Sequence, residues 1–193
     1  MEHYKKIIGE KIYLSPFSLD DAEIYTQWLN NLEITDNLGI SDRMTTIENS
    51  RNWIKRVIDE RAYQFLIIDL QNDRILGKIE LYKLDYIKRI GEIGVFIAEK
   101  SDRGRGFAKE AINLLLDFSF NYLNLNNIML GVFEFNKIAI ELYEKIGFKE
   151  IGRRRKSYFL NGEYFDSVFM DILADEFKEK YIKNSICDEE EKM

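Results

Sequence analysis

The chain is poor in the residues that most directly announce chemistry. Its 193 residues include one histidine (His3), one cysteine (Cys187) and one proline (Pro16). A histidine this close to the terminus leaves no ordinary Ser/His or Cys/His pair to build. No cluster of His, Cys and carboxylates stands at metal-ligand spacing, so no metal is expected. A lone cysteine forms no disulfide within the chain, which suits a reducing compartment. One proline gives no proline-rich linker, and no internal repeat is visible. No run reaches the roughly 18 apolar residues of a membrane span. The opening Met1-Glu2-His3-Tyr4-Lys5-Lys6 has no apolar stretch behind it, so no signal peptide is read and a cytoplasmic protein is expected, with no membrane partner. Basic excess is missing too. The net charge is −6, of which Asp188 to Lys192 supplies −3, and this argues against a nucleic-acid partner.

What is present is a core. Apolar residues make up 46% and aromatics 13%, enough for one packed domain over about residues 1–183, with an acidic, frayed tail at 184–193. The spacing predicts a strand at 7–17 and a helix begun by Ser18-x-x-Asp21, carrying Ile24, Trp28 and Leu29. A loop follows over 30–42, then a helix capped by Thr45-x-x-Glu48 with Trp53, Ile54, Val57 and Ile58 on one side. Strands are predicted at 63–70 and 75–84, with Gly77 as a bulge, and again at 92–98 and 127–135. A short helix carries Ile138, Leu142 and Ile146, and a hairpin turns at Asn161-Gly162. A last helix is read at 175–182.

The strongest organisation runs from Glu92 to Phe120. A short apolar strand leads into Arg103-Gly104-Arg105-Gly106-Phe107-Ala108. A helix follows, with Ala108, Ala111, Ile112, Leu115, Phe118 and Tyr122 on one face. The first N–H groups of a helix have no intrahelical partner, its dipole favours an anion there, and glycine admits close approach. The stretch therefore reads as a site for a phosphorylated ligand, or as an ordinary β-to-α turn. It is neither a Walker loop nor a dinucleotide fingerprint.

Arg103-x-x-Gly106-x-Ala108 resembles the acetyl-CoA loop of the GNAT N-acetyltransferase superfamily, Arg/Gln-x-x-Gly-x-Gly/Ala. Asn136-x-x-Ala139-x-x-Leu142-Tyr143-x-Lys145-x-Gly147-Phe148 resembles a second block, that of the ribosomal-protein and polyamine N-acetyltransferase branch. Gly152-x-x-Arg155, Asn161-Gly162-x-Tyr164-x-Asp166 and Met170-x-Ile172-Leu173 resemble that branch's ending. The three blocks cover residues 76–173 in order.

The resemblance implies an α+β fold: a mostly antiparallel twisted sheet of about seven strands flanked by helices, splayed between its fourth and fifth strands. It also implies acetyl-CoA as co-substrate and acyl transfer to a primary amine. The acceptor is the α-amine of a peptide or protein, or a small amine such as a polyamine, amino sugar or antibiotic. A homodimer is allowed for. A CoA-binding module without catalysis stays open as a reading of another class.

By the same resemblance Tyr143 is the general acid at sulfur, against a tyrosine simply packed on the helix flank. Asn136 binds the pantetheine amide, and it also suits a plain N-cap. Backbone groups at Phe96 and Ile97 hold the acetyl carbonyl, while Arg103, Gly104, Arg105, Gly106, Phe107 and Ala108 hold phosphate. Glu92 is the leading acceptor of the amine's proton, ahead of Glu134, Glu80 and Asp166, although a solvated strand end explains it equally well. Glu33 and Asp36 could bind a cationic acceptor, and Arg153-Arg154-Arg155-Lys156 is read as a solvated hairpin run.

Overall fold

The structure, a computed structural model, describes residues 3–178 and 180–182; the acidic tail lies outside the described residues. Eight strands form one sheet: β1 (Ile7–Ile8), β2 (Ile12–Pro16), β3 (Gln64–Asp69), β4 (Ile75–Asp85), β5 (Ile90–Ile97), β6 (Asn127–Phe133), β7 (Lys149–Leu160) and β8 (Glu163–Leu173). Their spatial order is β1-β2-β3-β4-β5-β6-β8-β7. Every neighbouring pair is antiparallel except β5 with β6. The helices are α1 (Ala22–Leu29), α2 (Leu32–Leu38), α3 (Ile47–Asp59), α4 (Phe107–Asp117) and α5 (Lys137–Ile146). The eighth strand arises because the stretch predicted as a single opening strand folds back at Gly9, whose N–H reaches the Ile12 carbonyl at 2.9 Å, and splits into β1 and β2.

Strand alternation sorts the side chains into two apolar layers. On one face Ile67, Ile79, Leu81, Ile93, Ile128 and Leu130 pack with Ala111, Ile112 and Leu115 of α4 and with Tyr143 of α5. On the other, Tyr13, Leu66 and Ile68 pack with Tyr25 and Trp28 of α1 and Ile54 of α3. Each fully buried Leu or Ile adds about 1.5–3 kcal/mol of apolar transfer energy. Among the described residues no helix is long and apolar enough to cross a membrane.

Local chemistry starts and stops these elements. Ser18 and Asp21 bond each other's backbone in a reciprocal cap ahead of α1. The cap of α3 is Thr46 with Asn49, one residue later than the sequence pattern suggests. Residue 30 onward is not all loop. Asn31 caps α2 by accepting the Glu33 N–H at 3.0 Å, and Gly39 ends it at φ +68°. Only Ile34 and Thr35 of this two-turn helix are buried, too short a stripe to register as periodicity. On α5 the inward residues are Ala139, Ile140, Leu142, Tyr143 and Ile146, whereas Ile138 is 85% exposed. Asn161 and Gly162 take φ +50° and +86°, as a type I′ turn requires.

Residues 175–182 are not helical where described; a turn at 174–176 is followed by irregular chain. The reason lies in side-chain competition for backbone groups. Glu176 accepts the Leu173 N–H at 3.1 Å, and the buried Asp117 carboxylate accepts those of Tyr181 and Ile182 at 2.5 and 2.7 Å. The segment is thereby tied to the end of α4, on which Leu114 and Leu116 are buried as well as the stripe the sequence shows.

Candidate active site

The site begins where two strands part. β5 and β6 pair only from Ile90↔Asn127 to Glu92↔Met129. Beyond that, β5 stays on β4 while β6 runs along β8 to Phe133↔Ser167. The splay expected between the fourth and fifth strands is this gap, renumbered by the extra β1.

Alternation decides which backbone groups face the gap. The Ala98 N–H donates to the Leu76 carbonyl at 2.9 Å. In the register Lys78↔Phe96, Glu80↔Gly94, Tyr82↔Glu92, the even residues of β5 therefore bond to β4. Their odd neighbours Ile93, Val95 and Ile97 turn their N–H and C=O groups toward β6. Of the two positions the resemblance names, Ile97 faces the gap and Phe96 is spent on the ladder. The Phe96 ring meets Trp28 edge-on at 5.4 Å.

Arg103 turns inward. It donates to the Ile97 and Ala98 carbonyls at 3.2 and 3.0 Å and pairs with Glu33 at 2.7 Å. It thus satisfies a carbonyl that β6 leaves unpaired and ties the end of β5 to α2. Glu33 also holds Lys100 at 3.0 Å, and these cations lower its pKa. Its carboxylate is paired with these two cations of the chain. Asp102, 2% exposed, anchors the loop from beneath: Arg74 grips both its oxygens at 2.6 and 2.7 Å, and Arg105 adds a contact at 3.2 Å. Arg74 is the largest cause of the lowered Asp102 pKa. Asp102→Ala should cost about 1–2 kcal/mol, discounted because Arg74 is half exposed. A drop in the urea unfolding midpoint together with weaker acetyl-CoA binding would show this.

Above that anchor the loop is open. Gly106 sits at φ +89° at the start of α4, and no side chain caps the helix. A Cβ at Gly104 would meet nothing within 4 Å, and one at Gly106 only Lys11 Nζ, at 3.6 Å. The N–H groups of Phe107, Ala108 and Lys109 therefore start the helix without a side-chain cap, the kind of end that favours an anion. Lys11 is a cation at this loop that the sequence reading missed. It stands 94 residues from Arg105, whose carbonyl it reaches at 3.5 Å, and no local signal could have found it. Glu110 of α4 holds the β1–β2 turn in place by accepting the N–H groups of Glu10 and Lys11 at 2.6 and 2.9 Å.

α5 carries Tyr143 in the apolar layer it shares with β6 and α4. Asn136 caps this helix, its side-chain oxygen accepting the Ala139 N–H at 3.2 Å, which leaves the side-chain NH2 as a donor. Tyr143 is 8% exposed, meets Phe148 edge-on at 5.8 Å, and burial pushes its pKa up to about 12. Its phenol acts electrostatically on Tyr82 of β4, whose pKa is raised by burial first, then by Glu92 and Glu80. The α5 tyrosine, the Tyr82 phenol and two carboxylates thus share one neighbourhood. Glu92 is held by Lys83, whose Nζ lies 3.0 Å from both oxygens. Glu80 lies over Gly94, where an added Cβ would meet its Oε1 at 3.0 Å.

The other carboxylates stand elsewhere. Glu134 accepts the Asp166 N–H at 2.7 Å and Asp166 accepts that of Lys156 at 2.8 Å, so both close the β6–β7–β8 junction. Arg153 pairs with Glu150 at 2.7 Å on the exposed hairpin. A groove of about 970 Å3 between α1 and α3 is lined by Asp20, Glu23, Arg51 and Lys55 among others, and by none of the residues at the loop or the gap.

Known proteins resemble this chain along most of its length. Residues 11–149 match the acetyltransferase (GNAT) domain. The SPbeta prophage-derived N-acetyltransferase YokL of Bacillus subtilis is 30% identical over 88% of this chain and 94% of its own. The spermidine N(1)-acetyltransferase of Vibrio cholerae is 38% identical over 68% of this chain and 72% of its own. The crystal structure of spermidine N-acetyltransferase from Vibrio cholerae in complex with CoA and spermine superposes with a TM-score of 0.80 at 30% identity, covering 86% of this chain and 98% of that one.

Proposed function

From the premise that the chain belongs to the GNAT acetyltransferase family and is an acetyl-CoA-dependent N-acetyltransferase, we propose that it acetylates a small primary amine at the gap between β5 and β6. One observation supports the reading above all: β5 and β6 part after Glu92↔Met129, and the same chain offers an uncapped helix start at Gly106 and a buried tyrosine, Tyr143, whose pKa burial raises. Bound acetyl-CoA supplies a thioester; the chain's own groups bind, orient and move protons. The N–H groups following Gly106, with Gly104, Arg105, Phe107, Ala108 and Lys11 around them, hold the phosphates. Arg103 acts from beneath by fixing the loop to β5. Ile97 N–H donates to the acetyl oxygen, with Phe96 as its support on the ladder. Asn136 uses its NH2 on the pantetheine amide. Tyr143 donates to the departing sulfur, and its burial keeps that proton in place at neutral pH.

Glu92 takes the proton that the amine must lose, and Lys83, 3.0 Å from both its oxygens, orients the carboxylate. Glu92→Gln should therefore lower kcat by about 10²-fold. An unaltered kcat would transfer the role to Glu80 or to water.

A small-amine acceptor is supported by the spermidine acetyltransferases among the relatives. Release of CoA from acetyl-CoA across polyamines, amino sugars, aminoglycosides, simple monoamines and peptides tests it. Release with one small-amine class is the expected result. Release with peptides alone would move the acceptor to a protein α-amine, and silence with acetyl-CoA still bound would favour a binding module. Self-association belongs to the same proposal; the related Vibrio cholerae enzyme has a dodecameric structure, aligned here with a TM-score of 0.73.

A further inference from the structure

Beside the acetyl gap, the face of β4 toward α1 and α3 carries a cation sealed under aromatic rings. Lys78 is the cross-strand partner of Phe96, one residue from Ile97, yet only 6% of it is exposed. Its Nζ lies 4.7 Å from the centre of the Trp53 ring and 5.6 Å from that of Tyr25. The two rings stack on each other at 4.4 Å. Glu80 completes the seat with Oε2 at 3.1 Å from Nζ. Burial pushes the Lys78 pKa down while Glu80 opposes the shift. Next to it, Gln64 of β3, the cross-strand partner of Glu80, is 9% exposed, and its Oε1 is buried without a hydrogen-bond partner.

Two aromatic faces and a carboxylate make the kind of seat that takes an ammonium ion from a ligand. Here the chain's own lysine occupies it. Glu80 stands opposite Gly94, past the last β5–β6 pair at Glu92↔Met129, and its charge is already matched from inside. An acceptor bearing a second ammonium would find the rings covered, the carboxylate neutralised and a like charge behind them. A monoamine meets no such conflict.

We propose that Lys78 is a specificity-determining residue that fills this seat with an internal cation, so that the site selects primary amines with no second positive charge over diamines and polyamines. The inference rests on the small-amine reading given above and narrows it. Specificity of this kind comes from a built-in repulsion rather than from an added attraction.

The test compares kcat/KM for spermidine and for n-hexylamine in the wild type and in Lys78→Met, which keeps an apolar stem and removes the charge. The wild type should favour the monoamine. The variant should raise the spermidine-to-hexylamine ratio by about tenfold, the size of a vacated cation–π and carboxylate seat. A wild type that prefers spermidine, or a ratio that Lys78→Met leaves unchanged, overturns the proposal.

Removing Lys78 alone leaves Glu80 unmatched, so a second variant guards against misfolding. Lys78→Met/Glu80→Gln removes both charges. It should abolish the discrimination against spermidine without creating a preference for it, and discrimination that survives in this variant overturns the proposal. If neither amine releases CoA from the wild type, the transferase reading has failed on these acceptors, and the seat is read by calorimetry instead. Spermidine binding that is tighter in Lys78→Met than in the wild type upholds the inference, and equal binding defeats it.

Discussion

Tyr143→Phe is expected to lower kcat by about 10²-fold while acetyl-CoA affinity stays within about twofold of the wild type. The substitution removes one oxygen from a ring that otherwise stays packed. Tyr143 lies in the layer that α5 shares with β6 and α4, and its edge contact with Phe148 belongs to the ring and not to the hydroxyl. Stability should therefore change by no more than about 1 kcal/mol. The proton matters because burial has raised the pKa to about 12. A raised phenol pKa means the group stays protonated from acid up to strongly basic pH. The proton is thus available wherever the enzyme is assayed, and no basic limb near pH 10 should come from this residue. A phenol this basic is better suited to donating a strong hydrogen bond to the developing thiolate than to full early transfer. Steady-state kinetics with calorimetric titration of acetyl-CoA checks the split. An unchanged kcat would remove Tyr143 as the acid and leave it a packed helix residue.

Gly106→Val should weaken acetyl-CoA binding by about 10²-fold, with a smaller effect on kcat once the site is saturated. Two causes add. At φ +89° the backbone is left-handed, and a β-branched residue there is strained by about 1–2 kcal/mol or more. The added side chain also points toward the uncapped N–H groups of α4, where among the described residues a Cβ would meet Lys11 Nζ alone, at 3.6 Å. The control is Gly152→Ala on β7. A Cβ there meets nothing within 4 Å, and Gly152 is not among the glycines with positive φ, so binding should not move. Equal affinity in Gly106→Val and wild type would undo the phosphate-loop argument.

Much of the fold was legible because its signals are local. The start of α4, the Ser18 and Asp21 cap, the Asn161-Gly162 turn and the strand-loop-helix passage at 92–108 each lie within about 17 residues of chain and form as the pattern indicates, whereas the stripe read along α4 ends early: the α-helix stops at Asp117, a π-helical turn follows at 118–122, and Tyr122 is exposed. The errors are local signals outbid by distant groups. Asp117 takes backbone N–H groups 64 and 65 residues away, and the helix read at 175–182 does not form. Helix α2 carried its cap in Asn31 and its stop in Gly39, but its two turns bury too little for periodicity to show.

The site divides in the same way. Arg103, Gly106, Asn136 and Tyr143 are marked by motif. What the motif does not say is that Arg103 faces inward to Glu33 and to two carbonyls, that the even residues of β5 spend their N–H groups on β4, or that Lys11 arrives at the loop from the far end of the chain. Lys78 shows the limit most clearly. In the sequence it is one lysine among many charged residues on an alternating strand. Its position under Tyr25 and Trp53 depends on two helices folding back across the sheet from more than 20 residues away.

By itself the sequence determined the order of elements, the glycine loop and the tyrosine helix, because turn chemistry, capping and apolar periodicity act between near neighbours. Only the tertiary structure decided which groups face the gap, which cations are already paired and which seat is already filled, because those outcomes depend on strand register and on charges brought together across the chain.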